Sequence, residues 1–435
     1  MKPILIILTV SLLTVSATAK AGQTLTLQQC IDSALMHNRI IQQRDIAKKA
    51  KEIDYQQARL NLLPDLNAFA GQNFTLGRSL TADNTYKSVN SSRTYFNISS
   101  ELLLFDGLKM KYDIEAKKAD MKASEADLEK IKSDVKLNVT VAFMQVMLYK
   151  ENLELAKSQI EATKQKIEQK SIMVREGKVA EGELLELKAQ LAKEEFNVIQ
   201  ANNNHKLALL DLAQIVELEN FESLDIVIPA ELINNEPVLL SAEEVYRSAL
   251  QNRPEIRGAE YRLQSSRKNV DIAKSAYFPT LGFGAQMGSG YYYLENFPGN
   301  EAFGKQMSDN LSTVLGFSLR VPVFNKFTTR NRVSASRLAV ESSMLDLENT
   351  KLELQKTVQQ SYQNALAAKA RFDAAQKSLQ SSQEAFRYAE LKYEAGKASV
   401  YELYQAKNSL VQVQSELTQS KYEYVLRVKA LELLK

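Results

Sequence analysis

The sequence carries one structural plan twice, and this internal repeat restricts the fold more than any other feature. Residues 27–66 align with 242–281 at a constant offset of 215. Farther along, the offset becomes 219 for more than a hundred residues, so that LFD at 104–106 corresponds to VFN at 323–325. A repeat of this kind predicts two copies of one supersecondary unit.

The boundaries of the copies follow from where the offset changes. That change falls in the segments 79–93 and 288–310, which we expect to be surface loops because loops accommodate length changes. The two copies span 22–218 and 241–435. The segment between them, 219–240, has two prolines and an Asn-Asn pair and is expected to be a linker.

Each copy predicts the same order of elements. In the first copy these are helices 25–62, strands 66–77 and 94–105, a long helix 108–175 and a return helix 183–215. In the second they are helices 242–277, strands 280–289 and 311–323, a long helix 327–394 and a return helix 400–434. The predicted fold class is therefore mainly α, with long antiparallel coiled-coil-like helices and four β-strands.

The long helices are predicted by the absence of breakers and by a heptad-like seam. No proline or glycine occurs from Leu108 to Val174, and apolar residues recur at alternating three- and four-residue spacings from Leu128 to Ile167. The same seam returns 219 residues later. A helix of this length is a rod of roughly 100 Å that cannot form a globular core alone. We expect it to pack laterally against its own copies and other subunits.

The uncharged segments read as strands with one mainly apolar face. Residues 94–104 and 311–321 alternate with a period of two, and each strand is about ten residues, the length that crosses an outer membrane at a tilt. Aromatic residues at 291–293 are typical of an interfacial girdle. A small soluble sandwich sheet is the alternative. In lipid, four strands cannot close a barrel, whereas three copies would supply twelve.

The remaining composition gives no sign of several other classes of function. The first residues, 1–21, have the lysine, apolar run and small residues of a secretory signal peptide, with cleavage after Ala19 or Ala21. The net charge of +3 gives no reason to expect nucleic acid. His37 and His205 are the only histidines, Cys30 is the only cysteine, and no catalytic or metal-binding spacing occurs. We expect no enzyme activity, no cofactor and no metal.

These features together resemble the TolC-type outer-membrane efflux proteins. The resemblance rests on LTLQQCIDSALMHNRII and LSAEEVYRSALQNRPEI, which begin the copies, and on LLPDL and YFPTL, which end the first helices. It also rests on LLLFDG and VPVFNK before the long helices, and on the two glycine-centred turns. It covers essentially the whole mature chain, twice and in the same order.

The resemblance implies a homotrimer in the outer membrane of a Gram-negative bacterium. Each subunit would give four strands to a twelve-stranded β-barrel and its helices to a long periplasmic tunnel. A periplasmic adaptor and an inner-membrane transporter would dock at the far end, so that the channel is a passive exit for their substrates. A periplasmic coiled-coil structural or adaptor protein without a pore is the alternative function.

Two matching residue pairs are the candidate docking turns. Gly177-Lys178 and Gly396-Lys397 interrupt charged helical stretches 219 residues apart. Glycine permits the left-handed conformation that ends a helix and reverses the chain. The resemblance implies that the adaptor docks there, whereas a helix end without a partner is the simpler interpretation.

Charged residues supply the other candidates. Glu183, Glu186 and Glu402 follow the turns, where three subunits would gather carboxylates into a ring that favours cations. Acidic residues at a helix start also suit the helix dipole. Glu101 and Arg320 occupy equivalent strand positions on the less apolar face and are expected in the barrel lumen, either as a salt bridge or as a selectivity element.

Overall fold

The computed structural model describes residues 23–81, 84–218, 224–227 and 239–435. The predicted signal peptide and most of the predicted linker lie outside these residues. The described residues divide into two compact units, and each unit contains parts of both sequence copies.

The fold is mainly α, with long helices separated by short strands. In chain order the described elements are β1 (Gln23–Leu25), α1 (Leu27–His37), α2 (Arg39–Leu60), β2 (Asn67–Thr75), β3 (Arg78–Leu80), β4 (Tyr86–Ser88), β5 (Ser91–Phe105), α3 (Lys109–Arg175), α4 (Glu181–Val216), β6 (Leu224–Ile226), α5 (Ala242–Asn252), α6 (Pro254–Ser275), β7 (Thr280–Leu294), α7 (Phe303–Asp309), β8 (Ser312–Arg320), α8 (Thr328–Glu394) and α9 (Val400–Leu433).

The helical segment at the start of each copy is divided in two. Between α1 and α2, Asn38 has an extended backbone with φ −60° and ψ 124°, and its side chain donates to the Ile215 carbonyl at 3.3 Å. Between α5 and α6, Arg253 is extended and Pro254 occupies the first helical position, where its missing N–H costs nothing. The two breaks therefore lie at matching places but arise from different residues.

The first unit comprises Met1–Arg39, Lys132–Val245 and Val358–Leu434, within which the described residues pack on long helices. Its core includes fully buried apolar side chains of α3 and α4, among them Val139, Phe143, Met147, Leu212 and Val216. The short strands β1 and β6 pair in parallel within this unit. Lys150 of α3 holds this pair through a 2.6 Å ion pair with Asp225 and a 3.3 Å hydrogen bond to the Ile226 carbonyl.

The second unit comprises Ile40–Ile131 and Tyr246–Thr357, with Lys435. Here the first half of α3 buries alanines at Ala116, Ala119, Ala123 and Ala126, and small residues permit close helix packing. Two ion pairs join α3 to α6. Their N···O distances are 2.5 Å for Arg262–Asp127 and 2.6 Å for Lys268–Glu115.

The second unit also contains a four-stranded antiparallel sheet with the order β2-β5-β7-β8. The inner strands β5 and β7 have 15 residues each, and the outer strands have nine. The inner strands therefore extend beyond the outer ones, and β7 is longer than the predicted strand 280–289. Among the described strands, β2 and β8 are the edges of this sheet.

The two faces of the sheet differ in polarity. The register places Gly284 between Glu101 and Gly316, so these three residues share one face. The opposite face carries apolar residues, and those on β8 are well exposed, with 66% for Leu315 and 73% for Phe317. Among the described residues, few neighbours cover this face at β8.

The two segments predicted to be loops contain regular structure. The first contains a small hairpin of β3 and β4, in which Arg78 is opposite Ser88. The second contains the seven-residue helix α7. Both lie at the same end of β5 and β7.

Candidate functional site

The two glycine-lysine turns have nearly identical geometry. Gly177 and Gly396 have positive φ angles of 71° and 68°, which glycine adopts without a steric penalty. After α3, the Lys178 N–H donates to the Met173 carbonyl at 2.9 Å and the Gly177 N–H donates to Val174 at 3.0 Å. This pattern satisfies the last carbonyl groups of a helix.

The turn after α8 repeats these bonds one by one. The Lys397 N–H donates to the Lys392 carbonyl at 2.8 Å, and the Gly396 N–H donates to the Tyr393 carbonyl at 3.0 Å. Lys178 and Lys397 are exposed, and Lys178 forms a 2.7 Å ion pair with Glu176. Each turn therefore presents an exposed lysine side chain next to a glycine with open space around it, and does not form a closed pocket.

The return helices begin differently after the two turns. At the start of α9, the Ser399 hydroxyl accepts a hydrogen bond from the Glu402 N–H at 3.2 Å. At the start of α4, Ala180 occupies the capping position and has no side chain that can accept. The first turn of α4 has acidic residues instead, Glu181 and Glu183, and acidic side chains suit the positive end of a helix dipole.

Glu183 lies in a half-buried cluster with Lys170 and Tyr393. The Tyr393 hydroxyl and the Lys170 ammonium donate to Oε2 of Glu183 at 2.5 and 3.1 Å, and Lys170 also donates to the Tyr393 hydroxyl at 2.6 Å. The hydrogen bond from Tyr393, followed by Lys170, holds the pKa of Glu183 below its usual value despite opposing burial. Burial and the bond to Glu183 raise the pKa of Tyr393.

Sequence reasoning selected Glu183 but did not find its two partners. Tyr393 lies seven residues after Phe386 and therefore continues the apolar seam of α8. A tyrosine hydroxyl at a seam position needs a hydrogen-bond partner, and this signal could have identified Tyr393. Lys170 and Glu183 are brought together by the turn at Gly177, whose geometry the spacing alone does not specify.

Glu402 and Glu186 have different surroundings from Glu183. Both are exposed, and within the part of the chain that the structure describes neither carboxylate forms an ion pair. The positions equivalent to Lys170 and Tyr393 at an offset of 219 are Ala389 and Val174, which provide neither charge nor hydroxyl. The cluster around Glu183 therefore has no counterpart around Glu402.

A second polar cluster, farther along the helices from the turns, joins α3, α4 and α9. Lys407 of α9 donates to Glu194 of α4 at 2.9 Å and to the Thr163 hydroxyl of α3 at 2.8 Å. Gln190 also donates to Oε1 of Glu194, at 3.0 Å, whereas Oε2 of this carboxylate is buried without a hydrogen-bond partner. The side chain of Glu194 is only 3% exposed. Sequence reasoning did not find this cluster, because Glu194 lies in a charged stretch that reads as a solvated helix face.

The structure does not bring Glu101 and Arg320 together within one chain. They lie on the same face of the sheet, but β7 separates their strands, and Arg320 is opposite Thr280 whereas Glu101 is opposite Gly284. The backbone of Glu101 instead bonds with Asp65, which accepts from its N–H at 2.6 Å. Both side chains are exposed.

Other candidate chemistry is sparse in the described residues. Nδ1 of His37 lies 3.1 Å from the Ser33 carbonyl oxygen, and burial, together with the nearby Lys150, lowers the pKa of His205. No cluster of three or more potential metal ligands occurs there. None of the helices described has the length and apolar character that membrane crossing requires.

Comparison with known proteins identifies relatives of this chain. Toxin and drug export protein A of Aggregatibacter actinomycetemcomitans is 27% identical over 233 residues, which are 53% of this chain and 48% of that protein. Protein CyaE of Bordetella pertussis is 24% identical over 268 residues, which are 60% of this chain and 52% of that protein. This chain therefore spans about half the length of the curated relatives it matches.

The fold is also found in solved structures. The outer membrane protein VceC of Vibrio cholerae has 16% sequence identity and a TM-score of 0.74, covering 94% of this chain and 95% of that one. At this identity the likeness establishes a shared fold. The model of a protein family described as "Outer membrane efflux protein" matches residues 30–216 and 245–434.

Proposed function

Because this chain belongs to the outer membrane efflux protein family, we propose that it is the outer-membrane exit channel of a tripartite efflux or secretion system. In this function it passes substrates from an inner-membrane transporter and a periplasmic adaptor to the cell exterior. It lies in the outer membrane of a Gram-negative cell with a large periplasmic part. It performs no catalysis, and its partners supply the energy.

The four-stranded sheet is the observation that carries this proposal. Its apolar face is exposed, and its edge strands β2 and β8 leave a row of backbone groups unpaired within the described chain. In hydrocarbon, each unpaired group costs several kcal/mol, so only a closed sheet is stable there. A homotrimer would close the sheet as twelve strands, with β8 of one subunit beside β2 of the next.

The turns at the ends of α3 and α8 support a docking role. A trimer would present six such turns, each with an exposed lysine after a glycine whose surroundings are open. We propose that the adaptor docks at Gly177-Lys178 and Gly396-Lys397. The repeated geometry would offer the adaptor similar sites around the trimer.

For the pore constriction, we propose that carboxylates near the turns form the narrow ring. The three candidates differ in their surroundings, because Lys170 and Tyr393 bind Glu183 whereas Glu186 and Glu402 are exposed. We therefore expect Glu402, supported by Glu186, to contribute most of the field in the pore. In the barrel, Glu101 and Arg320 remain candidates for lumen selectivity.

The transported substrate follows from the partners rather than from this chain. The name of one curated relative mentions toxin and drug export, and we propose that the substrates here belong to the same broad range. The transporter encoded beside the gene and the sensitivities of a deletion strain would identify the class.

Two adjacent residues on opposite faces of β8 provide the central test. An arginine on the lipid face of a barrel costs about 2–4 kcal/mol at the bilayer midplane, whereas one facing the lumen is tolerated. We expect Phe317→Arg to prevent accumulation of a heat-resistant trimer in outer-membrane fractions. Ser318→Arg should assemble normally and change the single-channel conductance in planar bilayers.

The same pair of variants tests the alternative, a periplasmic coiled-coil spacer or adaptor. A spacer has no lipid-facing strand, so both variants would accumulate equally in a soluble periplasmic pool. Equal behaviour of Phe317→Arg and Ser318→Arg, with no conductance from the purified chain, would exclude the channel.

A further inference from the structure

The C-terminal part of β7 extends beyond the end of its partner strand β8, and side chains bond to its backbone there. β8 pairs with β7 only from Thr280 to Gly288, although β7 continues to Leu294. Beyond Gly288, Gln306 of α7 accepts a hydrogen bond from the Tyr292 N–H at 2.9 Å and donates to the Tyr292 carbonyl at 3.0 Å. Its amide therefore makes the two bonds that a residue of a neighbouring strand would make.

Two asparagines continue this pattern along the same edge. Asn300 accepts from the Leu294 N–H at 3.0 Å and donates to its carbonyl at 2.6 Å. Asn310 donates to the Gly290 carbonyl at 2.6 Å. A side-chain amide has donors and an acceptor like a peptide group, so the three amides pair with backbone groups along an edge that β8 does not reach.

The short helix α7 lies against the apolar face of the sheet. Successive side chains alternate between faces, so Ser289, Tyr291 and Tyr293 share the face of Phe283 and Met287. The Ser289 hydroxyl donates to the Met307 carbonyl at 2.6 Å, and the ring of Phe303 meets Tyr291 edge-on with 5.2 Å between centroids. Both contacts fix α7 on that face.

The result is an aromatic cluster at the end of the apolar face, which we define as Tyr291, Tyr293 and Phe303. The Tyr291 and Tyr293 rings are stacked with 6.5 Å between centroids. Tyr293 is 41% exposed and Phe303 is 49% exposed, so the described residues leave the outer side of the cluster uncovered. About ten residues of β7 precede it, which is the length that crosses the hydrocarbon layer.

We propose that α7 and this aromatic cluster form an outer-leaflet anchor that binds the headgroup region of the lipid surface. Aromatic side chains with one apolar and one polar end prefer the boundary between hydrocarbon and water. The cluster is continuous with the apolar face that the proposed function assigns to lipid, and the inference rests on that function. The amides hold α7 at the depth where Phe303 meets the lipid.

The absence of tryptophan from the chain makes the anchor directly testable. Phe303→Trp provides a single fluorophore in the full-length protein reconstituted in phosphatidylcholine vesicles. The vesicles contain lipids brominated either close to the headgroup or close to the chain end. We expect blue-shifted emission with stronger quenching by the shallow bromines than by the deep ones, and weak quenching by aqueous iodide.

Two matched variants serve as references for a tryptophan deep in the lipid and a tryptophan in water. Phe317→Trp, on the apolar face of β8, should be quenched most by the deep bromines. Phe196→Trp, at an exposed site of α4 in the other unit, should respond to iodide and not to brominated lipid. Unchanged emission of Phe317→Trp with brominated lipid would overturn the proposed membrane location and the anchor with it.

The anchor alone is overturned if Phe317→Trp is quenched by lipid and Phe303→Trp behaves like Phe196→Trp. It is also overturned if Phe303→Trp is protected from both lipid and iodide, because a second copy of the chain would then cover the cluster. Adding Gln306→Ala to Phe303→Trp should shift quenching from lipid to iodide. Lys305→Ala, which removes an ion pair with Glu301 just before the helix, should leave the quenching unchanged.

Discussion

The Tyr393 hydroxyl donates a 2.5 Å hydrogen bond to Oε2 of Glu183, which ties α8 to α4 close to both helix turns. Lys170 of α3 donates hydrogen bonds to both of these side chains. The two repeats of the chain are therefore joined at this point by a charged hydrogen bond rather than by apolar packing alone. The equivalent position in the other repeat has Val174 in place of Tyr393, so the tie occurs once per chain.

Removing the hydroxyl should weaken this tie without disturbing the packing. Tyr393→Phe retains the ring and deletes one hydrogen bond to a charged group that is partly exposed, so we expect a loss of about 1 kcal/mol at neutral pH. Thermal unfolding followed by circular dichroism, at a fixed protein concentration, measures it. Tyr388→Phe on the exposed side of the same helix is the control and should leave the midpoint unchanged.

The effect of Tyr393→Phe should depend on pH in a definite direction. The folded protein lowers the pKa of Glu183, so its carboxylate stabilises the fold above the unfolded pKa of about 4.3 and loses this contribution as the pH falls through the folded value. The difference between wild type and Tyr393→Phe should be full at pH 7 and shrink in acid. A difference that grows on acidification would contradict the assigned contact.

The buried pair of Lys407 and Glu194 should show the asymmetry that buried charges produce. Lys407→Met leaves a carboxylate buried without its cation, which costs about 3–5 kcal/mol, whereas an apolar replacement of both partners is often close to neutral. We expect a large fall in the unfolding midpoint for Lys407→Met and partial or full recovery for Lys407→Met with Glu194→Leu. The exposed neighbour Lys193→Met is the control, and additive losses in the double variant would refute the pairing.

The parts of the fold that depend on residues close in sequence can be predicted from the sequence. The length of α3 and α8 follows from a long stretch without glycine or proline, and their ends follow from a residue that tolerates positive φ. The period of two in the strands reflects a sheet with unlike faces. These features depend on neighbours in sequence, so a pattern is enough to predict them.

Contacts between distant residues are not accessible in this way. Tyr393 and Glu183 are 210 residues apart, and their contact depends on how three helices are rotated about their axes. The helix α7 is too short for a periodic signal, and it is held by amides that read as ordinary loop residues. The extension of β5 and β7 beyond the outer strands likewise depends on pairing between the two copies.

The turn glycines should be sensitive to substitution because of backbone conformation rather than crowding. A Cβ at Gly177 or Gly396 would meet no atom within 4 Å, but the positive φ costs a residue with a side chain roughly 1 kcal/mol. We expect Gly177→Ala and Gly396→Ala each to lower stability by about this amount. Gly182→Ala in the first turn of α4, which has open space and no positive φ, should be neutral or slightly stabilising.

Bulky residues at the same glycines test adaptor docking. Gly177→Val together with Gly396→Val should abolish crosslinking to the adaptor and efflux, while the trimer still inserts and conducts in planar bilayers. Insertion separates a docking defect from a folding defect. Full efflux and crosslinking in the double variant would show that the adaptor docks elsewhere.

Cation selectivity should distinguish Glu402 from Glu183, although they occupy equivalent positions in the repeat. Glu402 is exposed, and three copies would bring three unneutralised carboxylates to a narrow opening, where a ring of acids favours cations. Glu183 lies 3.1 Å from the Lys170 ammonium, which offsets its charge. We expect Glu402→Gln to reduce the cation preference in single-channel reversal potentials, and Glu183→Gln to change it less.

The Glu402→Gln variant retains the hydrogen bond from the N–H of residue 402 to the Ser399 hydroxyl, so the helix start is preserved. An unchanged reversal potential for Glu402→Gln, or a larger shift for Glu183→Gln, would place the selective ring elsewhere in the channel.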